Sequence, residues 1–335
     1  MDRREAARAR ARMQAAVREF LTQRGFEEVE TPCLVPAPGM EPHIDAFCAP
    51  YLPEGGGTGR PLWLHSSPEY AMKRLLAEGF PRIFQLARVF RNGEVSDTHN
   101  PEFTMLELYR AHTDYRGIME DLEQTVAHAA RAVTGGTRVE AGGGAIDLTP
   151  PFERLTVEEA FRKRLGIELA ACDGDAGRLR TALRAAGLDA GRDGDSFDDL
   201  FFRAFLDRIE PGLGLDRPVY LIDWPAPMAA LSRLKPDDPR FAERFELYAG
   251  GLELANGFSE LTDAVEQRRR LLEEQAFRAR IGRPVYPLDE QFLAALPRMP
   301  EAGGVALGLD RLLMLLIGGR SLADVLLFPA RGFLG

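Results

Sequence analysis

A long polar connection between two strand-like runs carries the first residues that could do chemistry. Residues 82–90 and 104–111 are rich in β-branched and aromatic side chains, and the thirteen residues 91–103 join them. Neighbouring strands normally need a turn of about two to five residues, so this connection favours a ligand-binding loop. Glu107 and Tyr109 are two residues apart in the second strand and therefore share one face. The two strands thus offer an arginine, carboxylates and a phenol to a ligand, although a hydrated hairpin tip would explain the same pattern.

A second hairpin pattern brings two carboxylates to one face. Two strand-like runs flank the tight-turn dipeptide Gly250-Gly251. If these glycines form the turn, Tyr248 pairs with Glu253, and Glu246 falls on the same face at a diagonal separation of about 7–8 Å. Two such carboxylates repel each other unless a cation lies between them. Mg²⁺ that bridges to phosphates is the natural candidate because it prefers oxygen ligands, and a solvated edge hairpin is the alternative.

Another arginine opens a buried helix near the end of the chain. The small-residue strand 303–308 leads directly into residues 309–317, which are apolar on nearly all sides. Arg311 lies in the first turn, where the helix dipole disfavours a cation, so an anion should compensate it. The neighbouring Asp310 is one candidate and a ligand phosphate is the other. Gly308 would let a flat ring approach the backbone closely.

Further candidates lie at the start of one helix and after the second hairpin. Ser67 can cap a helix that has Pro68 at its first position, and Glu69 then lies where the helix dipole favours an acid. Asn256 and Glu260 follow the second hairpin in a polar stretch, and a buried Glu260 would need a cationic partner.

The length and organisation of the chain allow a large enzyme core. With 335 residues and 45% hydrophobic content, the chain can bury a core in one or two domains. We predict one catalytic domain over residues 1–335, with an elaborated middle region at 137–215.

Composition argues against several classes of function. No run of eighteen apolar residues is present, so no membrane span is predicted. The three cysteines are scattered without a CxxC pair, which is typical of a reducing cytoplasm and of a protein without a zinc site. A net charge of −9 disfavours a nucleic-acid partner, which usually needs a basic face. No Gly-Lys dipeptide exists, so a P-loop is excluded and ATP would need another kind of site.

Four segments of the chain carry a family resemblance. They are Phe90-Arg91 with the run from His99 to Tyr109, the run Gly304 to Leu312, the run Val29 to Pro32, and the run Glu253 to Leu261. In this order they resemble motif 2, motif 3, the dimer-forming motif 1 and a further conserved stretch of lysine-specific class II aminoacyl-tRNA synthetases. The resemblance covers nearly the whole chain. It implies an α+β fold, in which an antiparallel sheet is flanked by helices, and a homodimer that uses ATP and Mg²⁺.

Two differences from the lysine-specific synthetases indicate which members of this family the chain is most similar to. The catalytic region begins almost at residue 1, which predicts that there is no N-terminal OB-fold for reading an anticodon. Ser67 and Ala306 stand where lysine-specific synthetases usually have alanine and glycine. Both traits are similar to the short paralogues that lysylate elongation factor P and favour (R)-β-lysine over α-lysine. The resemblance therefore implies lysine or (R)-β-lysine as substrate and elongation factor P, rather than tRNA, as acceptor.

The resemblance also assigns roles residue by residue. The residues implied to bind ATP are Arg91, Glu94, His99, Asn100, Phe103, Glu246, Leu247, Gly308 and Arg311. Arg91 would contact the α-phosphate and Arg311 the γ-phosphate as the catalytic pair, Phe103 would stack on adenine, and Glu246 and Glu253 would bind Mg²⁺. The residues implied to bind the amino acid are Ser67, Pro68, Glu69, Tyr109, Glu253, Asn256, Glu260 and Ala306.

Two positions depart from the family pattern near the nucleotide. Gly93 stands where a glutamate usually reads the adenine amino group, with Glu94 directly after it. Thr98 stands where an arginine commonly contacts a phosphate.

The implied reaction has two steps. The amino-acid carboxylate attacks the α-phosphate of ATP to give an aminoacyl-adenylate, and a lysine ε-amine of the acceptor then takes the acyl group. Three alternatives stay open at this point: a truncated lysyl-tRNA synthetase that charges tRNA, a non-catalytic regulatory protein, and an AMP-forming asparagine synthetase.

Overall fold

The computed structural model describes residues 2–334, and its centre is a sheet of eight strands. In chain order the strands are β1 (Glu27–Glu28), β2 (Leu34–Val35), β3 (Trp63–Leu64), β4 (Arg82–Phe90), β5 (Glu102–Ala111), β6 (Arg138–Ala141), β7 (Gly144–Asp147), β8 (Glu153–Thr156), β9 (Val219–Pro225), β10 (Phe241–Ala249), β11 (Leu252–Ser259) and β12 (Ala302–Gly308). The order across the large sheet is β1-β4-β5-β12-β11-β10-β9-β8. Its pairings are antiparallel except for the outermost two, β1 with β4 and β8 with β9.

Helices flank this sheet. They are α1 (Arg3–Gln23), α2 (Glu69–Ala77), α3 (Tyr115–Thr134), α4 (Val157–Leu165), α5 (Leu169–Cys172), α6 (Ala176–Ala185), α7 (Phe197–Arg208), α8 (Ala264–Arg280), α9 (Glu290–Ala295), α10 (Leu309–Leu316) and α11 (Arg331–Leu334). The predicted α+β class, a mostly antiparallel sheet flanked by helices, is confirmed. Among residues 2–334, no helix is both long and apolar enough to cross a membrane.

The main core closes one face of the sheet. Met13, Val17 and Leu21 recur at helical spacing in α1, and all three are fully buried against this core. Helices α3 and α10 pack on the same face, where the alternate strand residues Leu106 and Leu108 point toward them. Since this face is filled with apolar side chains, the opposite face of the central strands is the one available to a ligand.

The middle region builds a second core at the far end of the sheet. Helices α4 to α7 enclose a cluster of aromatic rings, in which Phe161 stacks on Phe201, and Phe201 and Phe205 contact Trp224 of β9. Capping boxes at Thr156 and Ser196 start α4 and α7. The middle region therefore packs onto an edge of the large sheet, and its place within a single catalytic domain stays a prediction.

The β10–β11 hairpin has the predicted turn and an unpredicted bulge. Tyr248 pairs with Glu253 as expected, but Leu247 pairs with Ala255, so Leu254 has no partner residue. In a regular strand, residues three apart point to opposite faces. The bulge instead places Glu253 and Asn256 on the same face, because each lies opposite a residue of that face of β10.

Candidate active site

One row of side chains crosses five adjacent strands on the face opposite the main core. Strand pairing alone aligns these residues, which are Gln85, Glu107, Ala306, Asn256 and Glu246. Directly opposed residues of antiparallel strands share a face, so the register determines which side chains meet. The row joins residues predicted to bind the amino acid to a residue predicted to bind metal.

Three carboxylates gather at one end of this row and form an acidic pocket. Glu107 is almost fully buried; it accepts a hydrogen bond from the Tyr109 hydroxyl at 2.8 Å and a very short one from Ser67 Oγ. Glu69 lies in the first turn of α2 and Glu260 lies just beyond β11, fully buried. We call Glu69, Glu107 and Glu260 the acidic pocket.

The buried carboxylates of the acidic pocket are only partly compensated by positive charge. Burial, together with the nearby charge of Glu69, raises the pKa of Glu107 to about 8. Burial and the neighbouring acids also raise the pKa of Glu260, against the opposing effect of Lys73. A ligand with ammonium groups would relieve this cost, because an opposite charge favours the ionised carboxylate.

Lys73 is a member of this pocket that the sequence analysis did not identify. Its Nζ lies 2.5 Å from Glu69 Oε1 and forms a second ion pair with Glu260 Oε2. The cationic partner that we predicted for a buried Glu260 is therefore this lysine. The spacing of Glu69 and Lys73, four residues apart on one helix, was the available signal.

The start of α2 positions the polar wall of the pocket. The helix begins at Glu69 with Pro68 as its N-cap, one residue later than predicted. Ser67 Oγ accepts a hydrogen bond from the Glu69 amide at 3.0 Å and donates one to Glu107. An alanine at position 67 could make neither bond, so the serine changes the polarity of the wall that the amino acid would face.

Arg311 lies at the opposite end of the cleft and contacts the loop between β4 and β5. Its guanidinium donates to the Thr98 carbonyl at 3.1 Å, to the Glu253 carbonyl at 2.9 Å and to His99 Nε2 at 2.7 Å. Asp310, one of the two candidate partners, instead pairs with Arg10 and accepts a hydrogen bond from the Thr104 amide. Of the two anions that the sequence left open for Arg311, Asp310 is therefore engaged elsewhere, and a ligand phosphate stays a prediction. Glu253 Oε2 lies 3.8 Å from Arg311 Nη1.

His99 is held as a neutral ring between the two arginines. Burial and the charges of Arg311 and, more weakly, Arg91 lower its pKa below the usual value. Because Nε2 accepts from Arg311, the network assigns the proton to Nδ1, which faces Ser96 Oγ at 2.8 Å. A neutral His99 keeps further positive charge out of a region that two arginines already occupy.

Arg91 lies at the other end of the same loop. Its guanidinium carbon is 5.2 Å from the centre of the Phe103 ring, and Glu94 is 4.0 Å away. Arg91 Nε is buried and has no hydrogen-bond partner among the described residues. A guanidinium that is held by an aromatic face and a distant carboxylate can turn toward an anion at small cost.

Glu246 and Glu253 share the open face, as predicted. Glu246 is buried and accepts from Arg244 at 2.7 Å and from the Tyr248 hydroxyl at 2.5 Å, while Glu253 is half-exposed. Burial first, and then the charge of Glu253, raise the pKa of Glu246. Arg244 also donates to Asn256 Oδ1 at 3.3 Å and so ties two predicted ligands together.

The donor set at these two carboxylates fits Mg²⁺. Within residues 2–334 no group of three or more acidic, histidine or cysteine side chains could enclose a metal by itself. Mg²⁺ in phosphate-transfer sites is typically held by one or two carboxylates and completed by substrate phosphates and water. Glu246 and Glu253 supply that number of ligands, beside the arginines that would face the phosphates.

Two residues predicted to bind ATP are engaged elsewhere in the structure. The Leu247 side chain is fully buried in the main core, so only its backbone could approach a nucleotide. The Asn100 side chain donates to the Glu102 carbonyl at 2.7 Å and accepts from the Ala330 amide at 2.8 Å. Its contact with a nucleotide stays a prediction.

The glycine at the end of β12 has no structural need for glycine within the protein. Gly308 has an ordinary negative φ of −72°, and an added Cβ would meet no protein atom closer than 3.7 Å. By contrast, a Cβ on Gly304 would collide with Tyr109 and Glu260. Free space above Gly308 is what a ligand ring lying against the backbone would require.

Three residues that hold this cleft together were not predicted from the sequence as site residues. Glu107 was recognised as sharing a face with Tyr109 but was not assigned to the site, whereas Lys73 and Arg244 were not considered. Helical spacing pointed to Lys73 and strand alternation with Glu246 pointed to Arg244. Only the structure distinguishes these residues from other charged residues with the same spacings.

The fold and the cleft define the class of protein. The chain belongs to the class II tRNA synthetases of the D, K and N group, whose family model matches residues 2–332. This result confirms the family that the four motifs predict.

Named relatives of two kinds are similar over most of the chain. The elongation factor P–(R)-beta-lysine ligase of Salmonella paratyphi B is 41% identical, over 95% of this chain and 93% of that protein. The corresponding ligase of Klebsiella pneumoniae is 42% identical over the same shares. The lysine–tRNA ligase of Moorella thermoacetica is 40% identical over 96% of this chain, but the chain spans only 64% of the length of that protein.

Proposed function

We propose that the protein activates (R)-β-lysine or lysine with ATP and transfers the acyl group to a lysine ε-amine of elongation factor P. One observation carries the proposal: a buried acidic pocket suited to ammonium groups lies on the same sheet face as two arginines and two carboxylates suited to a triphosphate. The identity of 41–42% to elongation factor P–(R)-beta-lysine ligases, over 93% of their length, supports the choice of acceptor.

In the first step the chain mainly positions charges. The acidic pocket would hold the ammonium groups, so that the carboxylate points along the row toward the α-phosphate beside Arg91. Arg311 would exchange its present carbonyl contacts for the γ-phosphate. Glu246 and Glu253 would hold Mg²⁺, which would neutralise charge on the phosphates. Preorganised charge of this kind is a major source of rate enhancement in phosphoryl and acyl transfer.

The second step needs no nucleophile from the protein. The acceptor amine forms a C–N bond with the adenylate carbonyl, the C–O bond to phosphate breaks, AMP leaves, and the amine proton passes to solvent. Cys172 is buried in the second core, far in sequence and packing from the pocket residues, and it takes no part.

The lysine–tRNA ligases support a second candidate acceptor. Their 40% identity over nearly all of this chain means that the same adenylate could be offered to tRNA. The acceptor is therefore the part of the proposal that most needs an experiment.

The decisive experiment separates activation from transfer. ATP–pyrophosphate exchange is measured with α-lysine and with (R)-β-lysine, and labelled acyl group is then offered to elongation factor P and bulk tRNA in competition. Reductively dimethylated elongation factor P is the matched control, because it keeps its charge and lacks a primary amine.

We expect exchange with one or both isomers and label only on unmodified elongation factor P. Label on tRNA would move the function to tRNA charging. No exchange with either isomer, in a folded protein that binds ATP, would leave a non-catalytic protein or an AMP-forming asparagine synthetase.

We also infer a homodimer. A cavity of about 700 Å³ lies between α1 and the last residues of the chain, where Phe328 and Phe333 are 82% and 71% exposed. Exposed apolar patches of this kind mark protein interfaces, and the motif 1 resemblance supports a second copy as the occupant. Light scattering should give a dimer mass that Phe328→Asp lowers to a monomer mass. A monomeric native protein would contradict the inference.

The cytoplasmic location stays a prediction.

A further inference from the structure

Lys73 is a buried ammonium group inside the pocket that would receive the substrate's own ammonium groups. It lies on the inner side of α2 and its side chain is 1% exposed. Its Nζ lies over the rings of Phe258 and Phe292, at 5.2 Å and 6.0 Å from their centres. The groups that face it are Glu69 on its own helix, Glu107 and Tyr109 on β5, and Glu260 after β11.

Packing alone does not account for a lysine at this position. Met72 and Leu76 already provide the apolar contacts of α2, and an apolar residue between two aromatic rings would avoid the cost of burying a charge. Burial by itself would lower the pKa of Lys73, but Glu260 and Glu69 outweigh that effect and raise it, so the group stays charged. The charge is thus maintained against a desolvation penalty.

Lys73 also selects which oxygen atoms of the pocket stay free. It forms ion pairs with Glu69 Oε1 and Glu260 Oε2. Neither oxygen of the buried Glu260 has a hydrogen-bond partner of good geometry among the described residues, so Oε1 is the one that the ion pair with Lys73 leaves free. A Cβ added to Gly304 would collide with that oxygen and with Tyr109 Cε1, so the free oxygen faces the Tyr109 ring across Gly304. A buried acceptor that lacks a donor is an attachment point for a ligand N–H.

The charges of the pocket match a substrate with two ammonium groups. When a bound cationic substrate favours the ionised form of all three carboxylates, these and the Lys73 ammonium group have a net charge of −2, which two ammonium groups neutralise. Without Lys73 the same substrate would leave one buried carboxylate uncompensated, and the pocket would have to take up a proton.

We propose that Lys73 is a positioning and specificity-determining residue that sets the net charge of the pocket to match a diamino acid and holds Glu260 with one oxygen free for it. The inference rests on the proposed function, because it names how the same pocket selects its substrate.

The test uses the whole protein and compares Lys73→Met with Lys73→Arg. Pyrophosphate exchange is measured from pH 6 to pH 9. It gives KM for lysine, for (R)-β-lysine and for ATP. It also gives the acid limb, which is the fall of kcat/KM for the amino acid toward low pH. Lys235→Met is the matched control, since Lys235 forms an ion pair with Asp223 at 2.5 Å outside the pocket.

Loss of the charge should affect the amino acid and not the nucleotide. In Lys73→Met we expect the amino-acid KM to rise about tenfold or more at pH 7, with the ATP KM unchanged within about twofold. The acid limb should move up by about one pH unit, because the carboxylates lose the cation that helps them ionise. Lys73→Arg should keep the limb close to its original position, and Lys235→Met should lower only thermal stability.

A second substitution tests the charge count directly. Adding Glu260→Gln to Lys73→Met restores a net charge of −2, so the acid limb should move back toward that of the unchanged protein. Glu260→Gln alone should move the limb to lower pH. Glu260→Gln alone decides the matter if Lys73→Met does not fold.

The outcomes distinguish the inference from the proposed function. If the unchanged protein activates neither isomer, the proposed function fails. If it does activate them while folded Lys73→Met keeps its acid limb and amino-acid KM, or Glu260→Gln leaves the limb in place, the role of Lys73 is overturned.

Discussion

The two ends of the cleft are built differently. In the acidic pocket, Glu107 and Lys73 are each about 1% exposed, and short hydrogen bonds and ion pairs hold them. At the other end the side chains of Arg91 and Arg311 are 24% and 21% exposed, and they contact a loop, backbone carbonyls and an aromatic face.

On the proposed function, this contrast would separate selection of the amino acid from catalysis on ATP. A preformed pocket with fixed charges can discriminate between substrates, because a wrong substrate leaves buried polar groups unpaired. Arginines that make exchangeable contacts can close around a triphosphate and release pyrophosphate afterwards. The following substitutions should affect the two ends separately.

The largest effect is expected at Arg91. Arg91→Ala should cost on the order of 2–4 kcal/mol of transition-state stabilisation in adenylate formation, because it removes a charge that on the proposed function would face the α-phosphate. Pyrophosphate exchange gives kcat/KM, and the KM for the amino acid should stay within about threefold. Unchanged adenylate formation would remove Arg91 from the site.

Glu107→Gln should weaken only the amino-acid end. Loss of a charged hydrogen-bond acceptor should raise the amino-acid KM about 10- to 100-fold and leave the ATP KM unchanged. Glu102→Gln, on the same strand but half-exposed, is the control and should leave both KM values nearly unchanged.

The same substitution makes a prediction about pH. The pKa of Glu107 is raised to about 8 in the folded protein from 4.5, so the folded state binds more protons than the unfolded state between those values. The stability contribution of Glu107 is therefore present at low pH and is lost as pH rises from about 4.5 to 8. In urea titrations at pH 8, Glu107→Gln should raise the free energy of unfolding by about 1–3 kcal/mol. An equal stability of both proteins at pH 5 and pH 8 would show that Glu107 is not protonated.

Gly308→Ala should affect only the nucleotide end. A Cβ would meet no protein atom closer than 3.7 Å, so folding should be unaffected, while the ATP KM should rise about tenfold because the methyl group occupies ligand space. Gly304→Ala is the matched control on the same strand. It should lower thermal stability and amino-acid affinity through collisions with Tyr109 and Glu260. An unchanged ATP KM in Gly308→Ala would place the nucleotide elsewhere.

The smallest effect is expected at Asn100. Asn100→Ala should cost about 1–2 kcal/mol of folding stability, since the buried Ala330 amide loses its acceptor. The ATP KM should change less than about threefold if Asn100 acts through structure alone. A large rise in KM at unchanged stability would instead support the nucleotide contact that the motif implies. Asn92→Ala is the matched control, because the Asn92 side chain is exposed in the same loop, and it should leave the folding stability nearly unchanged.

Some structural features were predicted from the sequence, and others became visible only in the structure. Strand β4 and the pairing of Tyr248 with Glu253 were predicted as observed, because residue alternation and turn glycines act over a few residues. The bulge at Leu254 was not predicted, since nothing in the sequence of one strand reports a mismatch with its partner. The inward orientation of Leu247 was likewise visible only once the faces of the sheet were known.

The sequence by itself determined the family, the order of the motifs and the types of side chain available for ammonium and phosphate groups. Only the tertiary structure decided that Lys73 neutralises part of the acidic pocket, that Asp310 pairs with Arg10 rather than Arg311, and that burial raises the pKa of Glu107 to about 8. The physical reason is that chemical identity and local periodicity are written along the chain. Charge pairing and burial depend on distances between residues far apart in sequence, which strand register and packing set.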